Sequence, residues 1–130
     1  MGLCIAAGGS VLKVYAGIMA FTLAWTHSVQ KTEWEEDWRI VDDRLVISEA
    51  RVQGTGAGME PPPESHFDGR YWRWTPAIAP MAELTLRRSG ATDDWRLCLD
   101  GSCHPLSEAL PASADPIVFS ACHEGENHPN

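Results

Sequence analysis

Apolar and polar residues alternate with a period of two along most of the chain, and no long stretch holds a helical repeat. In Phe21–Val29, the apolar Phe21, Leu23, Trp25 and Val29 alternate with Thr22, Ala24, Thr26 and Ser28. In Trp34–Ile40, the residues Trp34, Trp38 and Ile40 alternate with Glu35, Asp37 and Arg39. Further strands are predicted over Arg44–Val52, Gly69–Thr75, Glu83–Ser89, Trp95–Leu99, Ser102–Leu106 and Pro116–Ala121. Turn signals at Asp42-Asp43, Asp68-Gly69, Ser89-Gly90 and Asp100-Gly101 separate them, and Leu106–Leu110 predicts a helical turn. Strands this short and this regularly spaced predict an all-β fold, an antiparallel sandwich or partly open barrel of about eight short strands. A length of 130 residues fits one domain, read as residues 1–122 with a polar tail over 123–130.

The register of the first predicted hairpin bears on chemistry. With a loop over Gln30–Glu33, Phe21–Val29 and Trp34–Ile40 pair Val29 with Trp34, Trp25 with Trp38 and Leu23 with Ile40, apolar against apolar. A slip by one residue would set these apolar side chains against carboxylates. The same register places His27 opposite Glu36 between tryptophans. Such a pair reads in two ways. It is either a satisfied polar pair that fixes the hairpin, or a site in which His27 and Glu36 form an acid/base dyad or anchor a ligand. Ser28 points away from His27 on a strand, so the two make no nucleophilic couple.

The segment Gly54–Glu64 reads as a shaped loop, rich in glycine and then in proline. Its Gly54-Thr55-Gly56-Ala57-Gly58 run is not a dinucleotide fingerprint, because Pro61-Pro62-Pro63 prevents the helix that would receive a pyrophosphate. A backbone nest for an anion is the alternative. Met1–Trp25 is apolar enough to suggest a targeting segment. Lys13 and the glycines at 8, 9 and 17 instead favour two strands, and no signal-peptide pattern is present. The expectation is a cytoplasmic protein, with the periplasm as the alternative.

Net charge is −8 with ten Lys plus Arg, and no basic run is longer than Arg87-Arg88. Nucleic-acid binding requires clustered cations, so this composition argues against it and against an anionic membrane surface. Direct membrane insertion is not expected. Six tryptophans are many for this length. They read as core, with a Trp-lined pocket as the alternative. No cofactor is implied.

Cys98 and Cys103 flank an Asp100-Gly101 turn of the type I′ class. That turn makes them a non-hydrogen-bonded pair, a spacing that suits a cross-strand disulfide. Packed thiols satisfy the same spacing. A metal site of Cys98, Cys103 and His104, joined by Cys122-His123, is a further reading. Cys4 and Cys122 fall in the two terminal strands.

The combination Trp25-Thr26-His27-Ser28-Val29, Trp34-Glu35-Glu36, Trp38 and Gly56-Ala57-Gly58 resembles the bacterial family called domain of unknown function 1850. Trp95-x-Leu97-Cys98 with Cys103 fits the subgroup that carries a cysteine hairpin. The resemblance implies a member of a family without an assigned function, whose relatives are encoded beside, or fused to, tripartite ATP-independent transporters of the TAXI type. Those systems take up carboxylate solutes with a periplasmic binding protein. Relatives carry an acidic residue after His-Ser-Val, where this chain has Gln30, which leaves Glu35 and Glu36 as the matching acids. Many relatives also begin with a membrane anchor.

The leading expectation is therefore an accessory domain that binds a transporter component or a small carboxylate solute. Its ligand-binding candidates are His27, Glu36, Trp25, Trp38, Gly56 and Gly58. One alternative is a small enzyme using His27 and Glu36. Another is a metal- or redox-responsive domain using Cys98, Cys103 and His104.

Overall fold

The computed structural model describes residues 1–26, 32–54, 62–88 and 94–123. Among these residues are eleven strands: β1 (Gly2–Ala7), β2 (Ser10–Ala16), β3 (Ala20–Thr26), β4 (Glu33–Val41), β5 (Arg44–Gln53), β6 (His66–Phe67), β7 (Tyr71–Trp74), β8 (Glu83–Leu86), β9 (Arg96–Leu99), β10 (Ser102–Pro105) and β11 (Ile117–Cys122). A 3₁₀ turn, Leu106–Glu108, occupies the predicted helical turn. The expected all-β class is what the chain forms, with more strands than the pattern suggested. His66 is exposed on the short β6.

The strands make two antiparallel sheets that pack face to face without closing into a barrel. One has four strands in the order β2-β1-β11-β8, and the other has seven in the order β10-β9-β3-β4-β5-β7-β6. Three of the hairpins turn on paired left-handed residues, Gly8-Gly9 (φ 59° and 83°), Asp42-Asp43 (φ 52° and 64°) and Asp100-Gly101 (φ 51° and 86°). Aspartate tolerates that conformation better than most side chains, and a type I′ turn matches the twist of the strands it joins.

The core lies between the sheets. Leu3, Ile5, Ile117 and Phe119 come from the smaller sheet, and Phe21, Leu23, Trp38, Leu45 and Ile47 from the larger one, all essentially removed from water. Phe21 joins the two layers. Its ring stacks on Trp38 at 6.4 Å within its own sheet and on Phe119 at 5.8 Å across the interface.

The β3–β4 register differs from the expected one. Trp25 opposes Trp34, Leu23 opposes Glu36, and Phe21 opposes Trp38. The offset is even, so every side chain keeps its expected face while its partner changes. Two things favour the observed offset. It stacks Trp25 on Trp34 at 5.9 Å as well as Phe21 on Trp38. On the opposite face, Thr22 Oγ1 donates to Asp37 at 2.7 Å and Thr26 Oγ1 to Glu33 at 2.6 Å.

Two disulfides use all four cysteines. Cys98–Cys103 closes the β9–β10 hairpin as a directly opposed pair. Cys4–Cys122 fastens β1 to β11 with Cα atoms 5.9 Å apart, tying the first strand to the last. Cys4 is buried, whereas Cys103 is exposed. No helix among the described residues is long and apolar enough to cross a membrane.

Candidate functional site

Of the ligand candidates read from the sequence, His27, Gly56 and Gly58 lie outside the described residues, as does the tail over 124–130. The expected face-to-face pairing of His27 with Glu36 is corrected by the register, because the residue opposite Glu36 is Leu23. Trp38 is a core residue, 3% exposed, and its indole Nε1 donates to Glu36 Oε1 at 3.1 Å. Glu36 thus sits half-buried on the inner face of β4. Burial pushes its carboxyl above the ordinary range, and the Trp38 hydrogen bond only partly opposes this.

Trp25 belongs to an aromatic cluster at the end of the larger sheet's inner face. It stacks on Trp34 and leans on Trp95 at 4.6 Å, while Trp74 meets Trp34 edge-on at 6.5 Å. The alternation that put tryptophans on one face therefore assembles a ladder of rings across neighbouring strands. Trp34 Nε1 and Thr32 Oγ1 are buried there without a hydrogen-bond partner among the described residues.

The outer face of the larger sheet is a network of charges already paired with one another. Arg51 reaches Glu35 at 2.6 Å, Asp37 at 2.8 Å and Glu49 at 3.0 Å, and Arg73 bonds Glu49 at 2.6 Å. Burial alone would raise the Asp37 carboxyl. Hydrogen bonds from Arg51 and Thr22, with the charges of Arg51 and Arg73, outweigh it and hold the carboxyl below its ordinary range. A concavity of about 440 Å³ lies beside Asp37 and Cys98 on this side of the molecule. Its partly buried carboxylate, Asp37, is already occupied by Arg51 and Thr22.

A different opening suits a ligand better. In the strand order, β2 is an edge of the smaller sheet and β10 an edge of the larger one, and residues of both line one opening. It is a cleft of about 370 Å³. Strand alternation builds it. Leu97 and Leu99 of β9 point inward, and their cross-strand partners His104 and Ser102 share that face. Tyr15 of β2 faces them from the smaller sheet, opposite the fully buried Leu3. The 3₁₀ turn closes one end with Leu106, Ala109 and Glu108. The result is an apolar floor with a few polar groups at the rim, the usual make-up of a small-molecule site, and its volume falls in the usual range.

At the rim, His104 Nδ1 lies 3.2 Å from Glu108 Oε1, with both side chains mostly exposed. Tyr15 is half-buried, and desolvation raises its hydroxyl above the ordinary value. Ser102, His104 and Glu108 thus share one rim, but no hydrogen bond joins Ser102 to His104, so the three do not form an activated nucleophile. Lys13 lies on the same β2 face as Tyr15 but does not line the cleft.

The metal constellation considered from sequence is not assembled. Cys98 and Cys103 are bonded to each other, Cys122 is bonded to Cys4 in the other sheet, and His123 Nε2 sits 3.3 Å from Asp43. A disulfide sulfur offers no thiolate to a metal. No group of three or more His, Cys, Asp or Glu side chains suited to a metal ion occurs among the described residues.

Sequence reasoning named His104 but missed Tyr15 and Glu108. Glu108 carried a signal, since a helical turn predicted at Leu106–Leu110 brings the residue four positions after His104 back towards it. Tyr15 carried none, because only the packing of the two sheets brings β2 near β10.

Comparison with curated proteins and with solved structures gives no match. One family model does match, over residues 21–106, a stretch that runs from the second residue of β3 to the first residue of the 3₁₀ turn. It holds all but one residue of the larger sheet together with β8, and leaves β1, β2 and β11 outside. Its description is Domain of unknown function (DUF1850), and this chain belongs to that family.

Proposed function

We propose that this protein is a non-catalytic binding domain that works outside the cytoplasm as an accessory to a TAXI-type carboxylate transporter, and that it holds a small amphipathic molecule in the cleft between β2 and β10. The observation that carries the binding reading is the cleft itself, with Leu97, Leu99 and Leu106 as its floor and Tyr15, Ser102 and His104 at its rim. The extracytoplasmic setting is supported by the use of all four cysteines in disulfides, which persist in oxidising compartments. The transporter setting is supported by the resemblance to proteins encoded beside such systems.

Two experiments test this. A screen of small amphipathic fragments by NMR should perturb Tyr15, Leu97 and Ala109, and Ala109→Phe should abolish those perturbations while the rest of the spectrum is kept. A screen without binders, or binding that survives Ala109→Phe, would sink the cleft reading. The tagged full chain should co-purify with transporter subunits from membranes of the native host, and repeated recovery without them would remove the accessory role.

A further inference from the structure

Resting on the cleft reading above, we infer that the head group this cleft accepts is a cationic hydrogen-bond donor, an ammonium on an apolar body, and not a free carboxylate. The lining holds no lysine or arginine. Its rim groups are acceptors or can act as acceptors. Glu108 is a carboxylate, and its Oε1 lies 3.2 Å from His104 Nδ1. With the Nδ1 proton turned to that carboxylate, Nε2 of the neutral ring is the nitrogen left to accept a donor. Ser102 and Tyr15 add hydroxyl oxygens that take a donor as readily as they give one.

The wider field has the same sign. The chain carries a net charge of −8, which draws cations towards an acidic opening and repels anions. A carboxylate head would meet Glu108 with no fixed cation to offset it. An ammonium head would find Glu108 and His104 at the rim, with the Tyr15 ring as a further attractive surface. The apolar remainder would lie on Leu97, Leu99, Leu106 and Ala109. The cleft is therefore the wrong chemistry for the acidic cargo of a carboxylate transporter, and the molecule it takes is distinct from that cargo.

Three compounds of one shape separate the possibilities: 4-phenylbutylammonium, 4-phenylbutanol and 4-phenylbutanoate, titrated into the intact oxidised protein and followed by NMR at low ionic strength. The expected order is ammonium tightest, alcohol next and carboxylate weakest, with about tenfold between the extremes from one attractive and one repulsive contact at an exposed rim. Glu108→Gln, at an exposed position, should narrow that gap and leave the alcohol unchanged. Ser102→Ala should leave the order intact. Carboxylate binding as tight as or tighter than ammonium would overturn the head-group assignment while leaving the cleft as a binding site. If none of the three perturbs Tyr15 or Leu97, the cleft reading falls with it.

Discussion

The two disulfides close loops of very different length, and their contributions to stability should differ accordingly. Cys4–Cys122 spans 118 positions and Cys98–Cys103 spans 5. In the chain-entropy account, a cross-link stabilises by restricting the unfolded ensemble, so the longer loop is worth about 5 kcal/mol and the shorter about 2 kcal/mol. A domain of this kind has roughly 5–15 kcal/mol in total, so the first bridge is a large fraction of the whole. The perturbation is a pair of double variants, Cys4→Ala with Cys122→Ala, and Cys98→Ala with Cys103→Ala. Alanine is chosen because Cys4 is 2% exposed and a serine hydroxyl would be buried there. Urea unfolding followed by tryptophan fluorescence gives both the midpoint and the slope. The first variant should lose about 3 kcal/mol more than the second, and its slope should rise because the freed unfolded chain exposes more surface. Equal losses in the two variants, or a slope unchanged by removing Cys4–Cys122, would refute the loop-entropy reasoning.

Other perturbations probe the packing and charges. Phe21→Ala removes the ring shared by Trp38 and Phe119 and should cost about 3–5 kcal/mol in urea unfolding. Glu36 has its pKa raised above the ordinary 4.5, so ionising it costs stability. That cost is absent below pH 4.5 and grows as pH rises through the folded-state value. Glu36→Gln should therefore stabilise the protein at neutral pH and lose its advantage at pH 4, as thermal melts at both values would show. Asp37 has the opposite shift, and its contribution is present above its ordinary 3.8 and lost as pH falls below it. Arg51→Met should cost about 1–2 kcal/mol at pH 7, a figure reduced because Asp37 is one-third exposed, and should flatten the acid limb of the stability curve.

The sequence by itself determined the class of the fold and the face on which each side chain lies. Period-two alternation is a local property of an extended chain, so it marked the strands and put Trp34, Glu36 and Trp38 on one face of β4 and Glu33, Glu35 and Asp37 on the other. The Asp42-Asp43 and Asp100-Gly101 turns were equally legible, since turn type follows from two residues, and the second of them makes Cys98 and Cys103 opposed. What alternation cannot fix is the offset between strands, because any even slip keeps the same faces. Trp25 could oppose Trp38 or Trp34, and the stack of both aromatic pairs with the Thr22–Asp37 bond on the other face decided for Trp34. The His27–Glu36 pairing failed for that reason. The pairing of Cys4 with Cys122 and the cleft between β2 and β10 depend on which strands become neighbours and edges. The order of the sheets is set by long-range packing of Leu3, Ile5 and Phe119 against Phe21, and no local pattern encodes it.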